Sequence, residues 1–154
     1  MRRKRSYKRE HLPDVRYERI AIGRFINYLT SDGKKNAAEK CLYGALDILK
    51  EKGNDPVEIF EKAVENASPM IEVVSRRVGG ANYQVPREVR PERKFMLACR
   101  WLIAAANSKK GQGMAKKLAE EFLAASKNEG SAIKKKQDIH RMAEANRAFA
   151  HFAW

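Results

Sequence analysis

The chain has 154 residues, with 32 Lys and Arg against 19 Asp and Glu and a formal charge of +13. That length suits one folded domain, and 44% hydrophobic residues excludes a wholly disordered chain. A field this positive favours a polyanionic partner, and Cys41 and Cys99, each in an apolar helical run, read as two buried thiols in a reducing compartment and not as a disulfide framework.

Residues 1–12 form a basic arm. Arg2, Arg3, Lys4, Arg5, Lys8 and Arg9 fall there without an acid until Glu10. Six cations so close together predict a nucleic-acid arm, and Tyr7 is available for stacking. Residues 10–154 keep a net charge of +7, so the folded body of residues 13–154 carries basic surface too. The Arg-rich start lacks the apolar stretch of a secretory signal, and no run approaches the ~18 apolar residues of a spanning helix. A cytoplasmic protein with no membrane partner is expected.

A first helix is predicted from about Asp14 to Asp32, with Ile22, Phe25, Ile26 and Leu29 at helical spacing and Gly33 as its stop. A second runs from Lys34-Lys35 to about Lys52, burying Ala38, Cys41, Leu42, Ala45, Leu46 and Leu49. Lysines at a helix N-terminus oppose the dipole. Their place there makes sense if they and the free amides face phosphate. The Gly-Lys pair is not a nucleotide-binding P-loop, because the residue four before Gly33 is Leu29 and no strand precedes it. Asp55-Pro56-Val57-Glu58 opens a third helix with cap, N1 proline and first-turn acid in order. Its Val57, Phe60, Val64 and Ala67 face inward. Glu58, Glu61 and Glu65 form an acidic face, predicted to point away from the polyanion or toward a basic neighbouring protein.

The period then changes. Val73, Val74 and Val78 precede Gly79-Gly80, and Tyr83 and Val85 follow. Two β-prone runs around a Gly-Gly turn predict a hairpin over about 71–89, flanked by Arg76, Arg77 and Arg87. A lone ribbon is marginally stable in water, so a charged one is predicted to extend into something polyanionic. A fourth helix begins near Pro91. Phe95 to Ala106 are apolar on nearly every face, which predicts that this helix is central and that Trp101 is a core residue. A loop carries Lys109 and Lys110. The fifth helix aligns Met114, Leu118 and Phe122, with Lys116 and Lys117 elsewhere on its surface. Ser131 is the expected cap of a sixth helix bearing Lys134, Lys135 and Lys136, which leads into the alanine-rich end from Ala148 to Trp154. The fold class expected is mainly α: one domain of about six helices, with a protruding two-stranded hairpin between the third and fourth.

Catalysis needs titratable groups held together. His11, His140 and His151 have no motif partners, and no metal-ligand spacing occurs. No enzyme, metal or cofactor is expected. The recurring cations of the arm, the Gly33-Lys34-Lys35 turn, the hairpin and the last two helices predict one shared basic surface for phosphate contact. RNA read through shape and splayed bases suits the ribbon. A DNA-binding architectural protein is the alternative that composition also permits, although neither an intercalating wedge nor a dimerisation seam is visible.

Four motifs carry a resemblance. They are Asp32-Gly33-Lys34-Lys35, the run from Ser75 to Pro86, Arg100-Trp101-Leu102, and the run from Met142 to His151. Through them, over essentially its whole length, the chain resembles the bacterial-type small-subunit ribosomal proteins of the seventh family. The resemblance implies a helical fold with a protruding β-ribbon. It implies primary binding to the 3′ major domain of 16S rRNA, nucleation of head assembly, and neighbouring small-subunit ribosomal proteins as partners. It also implies a position near the exit-site tRNA and the mRNA path. By matching positions, RNA contact falls on the arm, Lys34, Lys35, Arg76 and Arg77, and the tRNA-proximal ribbon tip on Gly79, Gly80, Ala81, Asn82 and Tyr83.

Overall fold

A computed structural model describes residues 11–152 of the chain. Six α-helices, one two-stranded antiparallel ribbon and a closing 3-10 turn follow in the order α1 (Ile20–Leu29), α2 (Lys35–Glu51), α3 (Pro56–Ala67), β1 (Ile71–Val78), β2 (Ala81–Glu88), α4 (Pro91–Ser108), α5 (Met114–Ser126), α6 (Ser131–Ala145) and Arg147–Phe152. The mainly helical class and the place of the ribbon match the sequence reading. The six N-terminal cations of the arm lie outside the described residues.

The first helix is shorter than predicted. Before it, Asp14 closes a turn: its carboxylate accepts the backbone N–H groups of Arg16 and Tyr17, each at 3.1 Å, and the Tyr43 hydroxyl at 2.7 Å. Glu18 then adopts a positive φ of 52°, a left-handed conformation that cannot continue a right-handed helix. The asparagine-like capping chemistry of Asp14 is local and helix-breaking here. At the other end the helix stops at Leu29, and a Ser31–Lys34 turn carries the chain to α2.

The core is centred on α5, not on α4 as the apolar run from Phe95 predicted. Helix α5 packs against α2, α3, α4 and α6. Phe122 on it meets Phe25 and Phe60 in a three-ring cluster with edge-to-face centroid distances of 5.4 to 5.5 Å. All three rings are fully buried. Helix α4 buries only one face, through Ala98, Cys99, Leu102, Ala105 and Ala106. Trp101 is half-buried on the edge of the core. Cys99 is fully buried as expected, whereas Cys41 is only partly so.

The ribbon pairs Ile71 with Glu88 at its root and Val78 with Ala81 at its tip. Gly79 and Gly80 form the two-residue turn with φ of 58° and 90°, the double left-handed geometry that favours glycine at both positions. Eight extended residues per strand reach roughly 25 Å.

Candidate nucleic-acid interface

The ribbon is held at its root by two polar ties. Glu72 is 6% exposed and takes Arg93 of α4 at 2.6 Å and Arg87 across the ribbon at 3.2 Å. Such a buried carboxylate needs its partners, because removing one leaves an uncompensated charge. Met70 donates its backbone N–H to Nε2 of His140 at 3.2 Å. That bond requires the unprotonated nitrogen, and burial, helped by nearby Lys136, lowers the pKa of His140. Further along, Tyr83 packs on Phe149 at 5.1 Å and Phe152 at 5.3 Å. The ribbon therefore does not stand alone in solvent. The 3-10 turn covers part of it; Arg77 and the tip from Gly79 to Asn82 are exposed, as are Ser75, Gln84 and Arg87 along the strands.

The helical body brings several cation-bearing segments together. One groove of about 360 Å³ is lined by Ser31, Lys34, Cys41, Asn107 and Met114. It joins the Gly33-Lys34-Lys35 turn to the end of α4 and the start of α5. A second groove is lined by His11, Leu12, Arg24, Lys35 and Glu39, so the root of the arm meets the start of α2. Glu121, 1% exposed, links the next segments: Lys109 lies 3.1 Å from one of its oxygens, and Ala132 donates its N–H to the other, also at 3.1 Å. The α4–α5 loop and the start of α6 are thereby adjacent. A chain of basic segments runs from the arm root through Lys34 and Lys35 to Lys110 and on to Lys134 and Lys135. Arg76 and Arg77 belong to the ribbon, beyond the far end of α6.

The individual predicted residues fall into two groups. Lys34, Lys110, Lys116, Lys134, Lys135 and Arg77 are exposed. Lys35 is also exposed but lies 3.6 Å from Glu39. Two lysines have intramolecular partners instead. Lys109 is bound to Glu121, with Glu120 at 3.6 Å. Lys136 donates to the Asn66 carbonyl at 2.7 Å, at the end of α3, and burial lowers its pKa. The expected Ser131 cap is also replaced. Gly130, with φ of 97°, occupies the N-cap position without a side-chain bond, and distant Glu121 satisfies the amide of Ala132, the second residue of the helix. A carboxylate set three residues after buried Leu118 and next to Phe122 was the sequence signal for this role. Nothing local announces the Tyr83–Phe149 contact.

Among the described residues no group of three or more His, Cys, Asp or Glu is arranged to hold a metal ion, and no helix is long and apolar enough to cross a membrane. A helical scaffold with cations on successive segments, and a charged ribbon projecting from it, defines a structural protein of the nucleic-acid-binding class. The chain belongs to the family described as Ribosomal protein S7p/S5e, whose model matches residues 1–147. It is 56% identical over 155 aligned residues to small ribosomal subunit protein uS7 of Thermotoga neapolitana, covering 100% of both chains. The protein of the same name from Nitratidesulfovibrio vulgaris is 57% identical over 148 residues, 96% of this chain and 95% of that one. That from Phenylobacterium zucineum is 54% identical over 155 residues, 99% of each. Proteins of this family are structural components and not enzymes. Nothing in these relationships supports the DNA-binding architectural alternative.

Proposed function

We propose that this chain, a structural constituent of the small ribosomal subunit and cytoplasmic in a bacterial cell, anchors to 16S rRNA through the basic segments of its helical body. The anchor is the 3′ major domain, where binding nucleates assembly of the subunit head. Neighbouring small-subunit proteins pack around it. The ribbon reaches from the anchor toward the exit-site tRNA and the mRNA path, presenting Arg77 and the Gly79–Asn82 tip. The basic arm of residues 1–12 extends the RNA contact of the folded domain.

The observation that carries this reading is the run of exposed lysines on segments that the grooves and Glu121 bring together. Several cations on adjacent segments suit an irregular phosphate surface, where affinity follows the number of phosphates neutralised. The root ties of the ribbon, Glu72 to Arg93 and Met70 to His140, favour a ribbon held at a fixed angle to that surface. The test is equilibrium binding to transcripts of the separate 16S domains at one salt concentration. The 3′ major domain should bind at least tenfold more tightly than the 5′ and central domains. Equal affinity for all three would overturn the assignment.

A further inference from the structure

We propose that Glu121 is a positioning residue for the RNA-contacting lysines of the α4–α5 loop and the start of α6. The proposal rests on the RNA-binding reading above. Glu121 lies in the buried stripe of α5 beside Leu118, Phe122 and Ala125. Each of its oxygens has a separate task. One holds the Lys109 ammonium at 3.1 Å, and the other accepts the Ala132 N–H at 3.1 Å, where the positive end of the α6 dipole lies. The fit around it is tight: a Cβ built on Gly130 would lie 2.8 Å from Oε1 of Glu121. Lys110 follows Lys109 directly, and Lys134 and Lys135 lie two and three residues beyond Ala132. All three are exposed. A single buried carboxylate therefore fixes the spacing of two segments that display cations. Lys109 acts as the strut, bound inward, while its neighbours face outward.

This role makes a prediction opposite in sign to simple electrostatics. Removing an acid from a protein that binds a polyanion normally strengthens binding. Glu120 supplies the control, because it is the next residue, more exposed, and also near Lys109 at 3.6 Å. In binding assays with the 3′ major domain transcript and the full chain, Glu120→Gln should bind as well as the unaltered protein or a few-fold better. Glu121→Gln carries the same charge change. It should bind about tenfold more weakly, with a salt slope shallower by about 1 to 2 as phosphate contacts lose register. Gly130→Ala changes no charge but pushes on the same oxygen and strains the backbone at a φ of 97° where α6 begins, and should weaken binding several-fold. Lys109→Arg, which keeps the strut, should retain affinity. Circular dichroism at the assay temperature identifies which variants are folded. The Gly130→Ala result decides the matter if Glu121→Gln is not. Binding by Glu121→Gln equal to that of Glu120→Gln, or unaltered binding by Gly130→Ala, would overturn the proposal. Failure of the unaltered protein to prefer the 3′ major domain would instead overturn the reading beneath it.

Discussion

Truncating Tyr83 to alanine should release the 3-10 turn from the ribbon while leaving the core intact. The ring contacts two others, Phe149 at 5.1 Å and Phe152 at 5.3 Å, both tilted. Aromatic pairs of this kind contribute about 0.5 to 1.5 kcal/mol each beyond area burial. Losing both therefore weakens docking by about 1 to 3 kcal/mol, which raises the undocked population by roughly 5- to 150-fold. Tyr83 lies outside the buried core cluster, so global unfolding should move little. Native-state hydrogen exchange separates the two effects, because local opening and global unfolding protect different amides. The Phe149 amide, bonded to the Asn146 carbonyl at 3.0 Å, should lose protection by that factor. Amides of α5 should keep theirs. Tyr83→Phe, which retains the ring, should behave like the unaltered protein. Unchanged exchange at Phe149 in Tyr83→Ala, or equal loss throughout α5, would refute the argument.

Other expectations follow from the same structure. Phe122→Ala removes the centre of the three-ring cluster and should cost about 3 to 5 kcal/mol, lowering Tm by roughly 6 to 20 °C for a domain of this size. Half-buried Trp101→Ala should cost less, and a larger loss in calorimetry would restore α4 as the core's centre. His140 has a folded pKa below the ordinary 6.5 because of burial and Lys136. The folded state then resists protonation, so its contribution is complete above pH 6.5 and is lost as pH falls through the depressed value. Urea midpoints at pH 7 and pH 5 should differ more in the unaltered protein than in His140→Gln, and equal differences would contradict this. Burial pushes the Cys99 thiol up to about 12 and raises that of Cys41 less. A thiol reagent should modify Cys41 slowly in the native state and Cys99 only on unfolding; simultaneous native labelling would be the contrary result.

Local chemistry made much of this fold legible. Asp55 accepts from the N–H groups of Val57 and Glu58 just as its cap position ahead of Pro56 implied. The change of period at Val73 and the paired glycines located the ribbon and its turn. What escaped was non-local. The apolar residues of α4 fill nearly every face, but several lie at the edge of the core, so a count of apolar positions misplaced the centre. Ala119 and Ala125 are buried where α5 packs among its neighbours, and that burial depends on the partners as much as on α5. The start of α1 moved because Tyr43, nearly thirty residues on, helps hold the Asp14 turn. Within the candidate interface, charge was legible but its use was not. Lys109 and Lys136 looked like their neighbours in sequence, and only the placement of Glu121 and the end of α3 turns them inward.

The central claim is that exposed lysines on adjoining segments anchor the chain to ribosomal RNA. Its most direct test is the salt dependence of binding to the 16S 3′ major domain for the unaltered protein and for a variant with Lys34, Lys110, Lys134 and Lys135 all changed to Gln. Each phosphate contact contributes about 0.7 to 0.9 to the log–log slope. The account predicts a steep negative slope that becomes shallower by about 3 to 4 in the variant, with thermal stability little changed. An identical slope in the two proteins would contradict it.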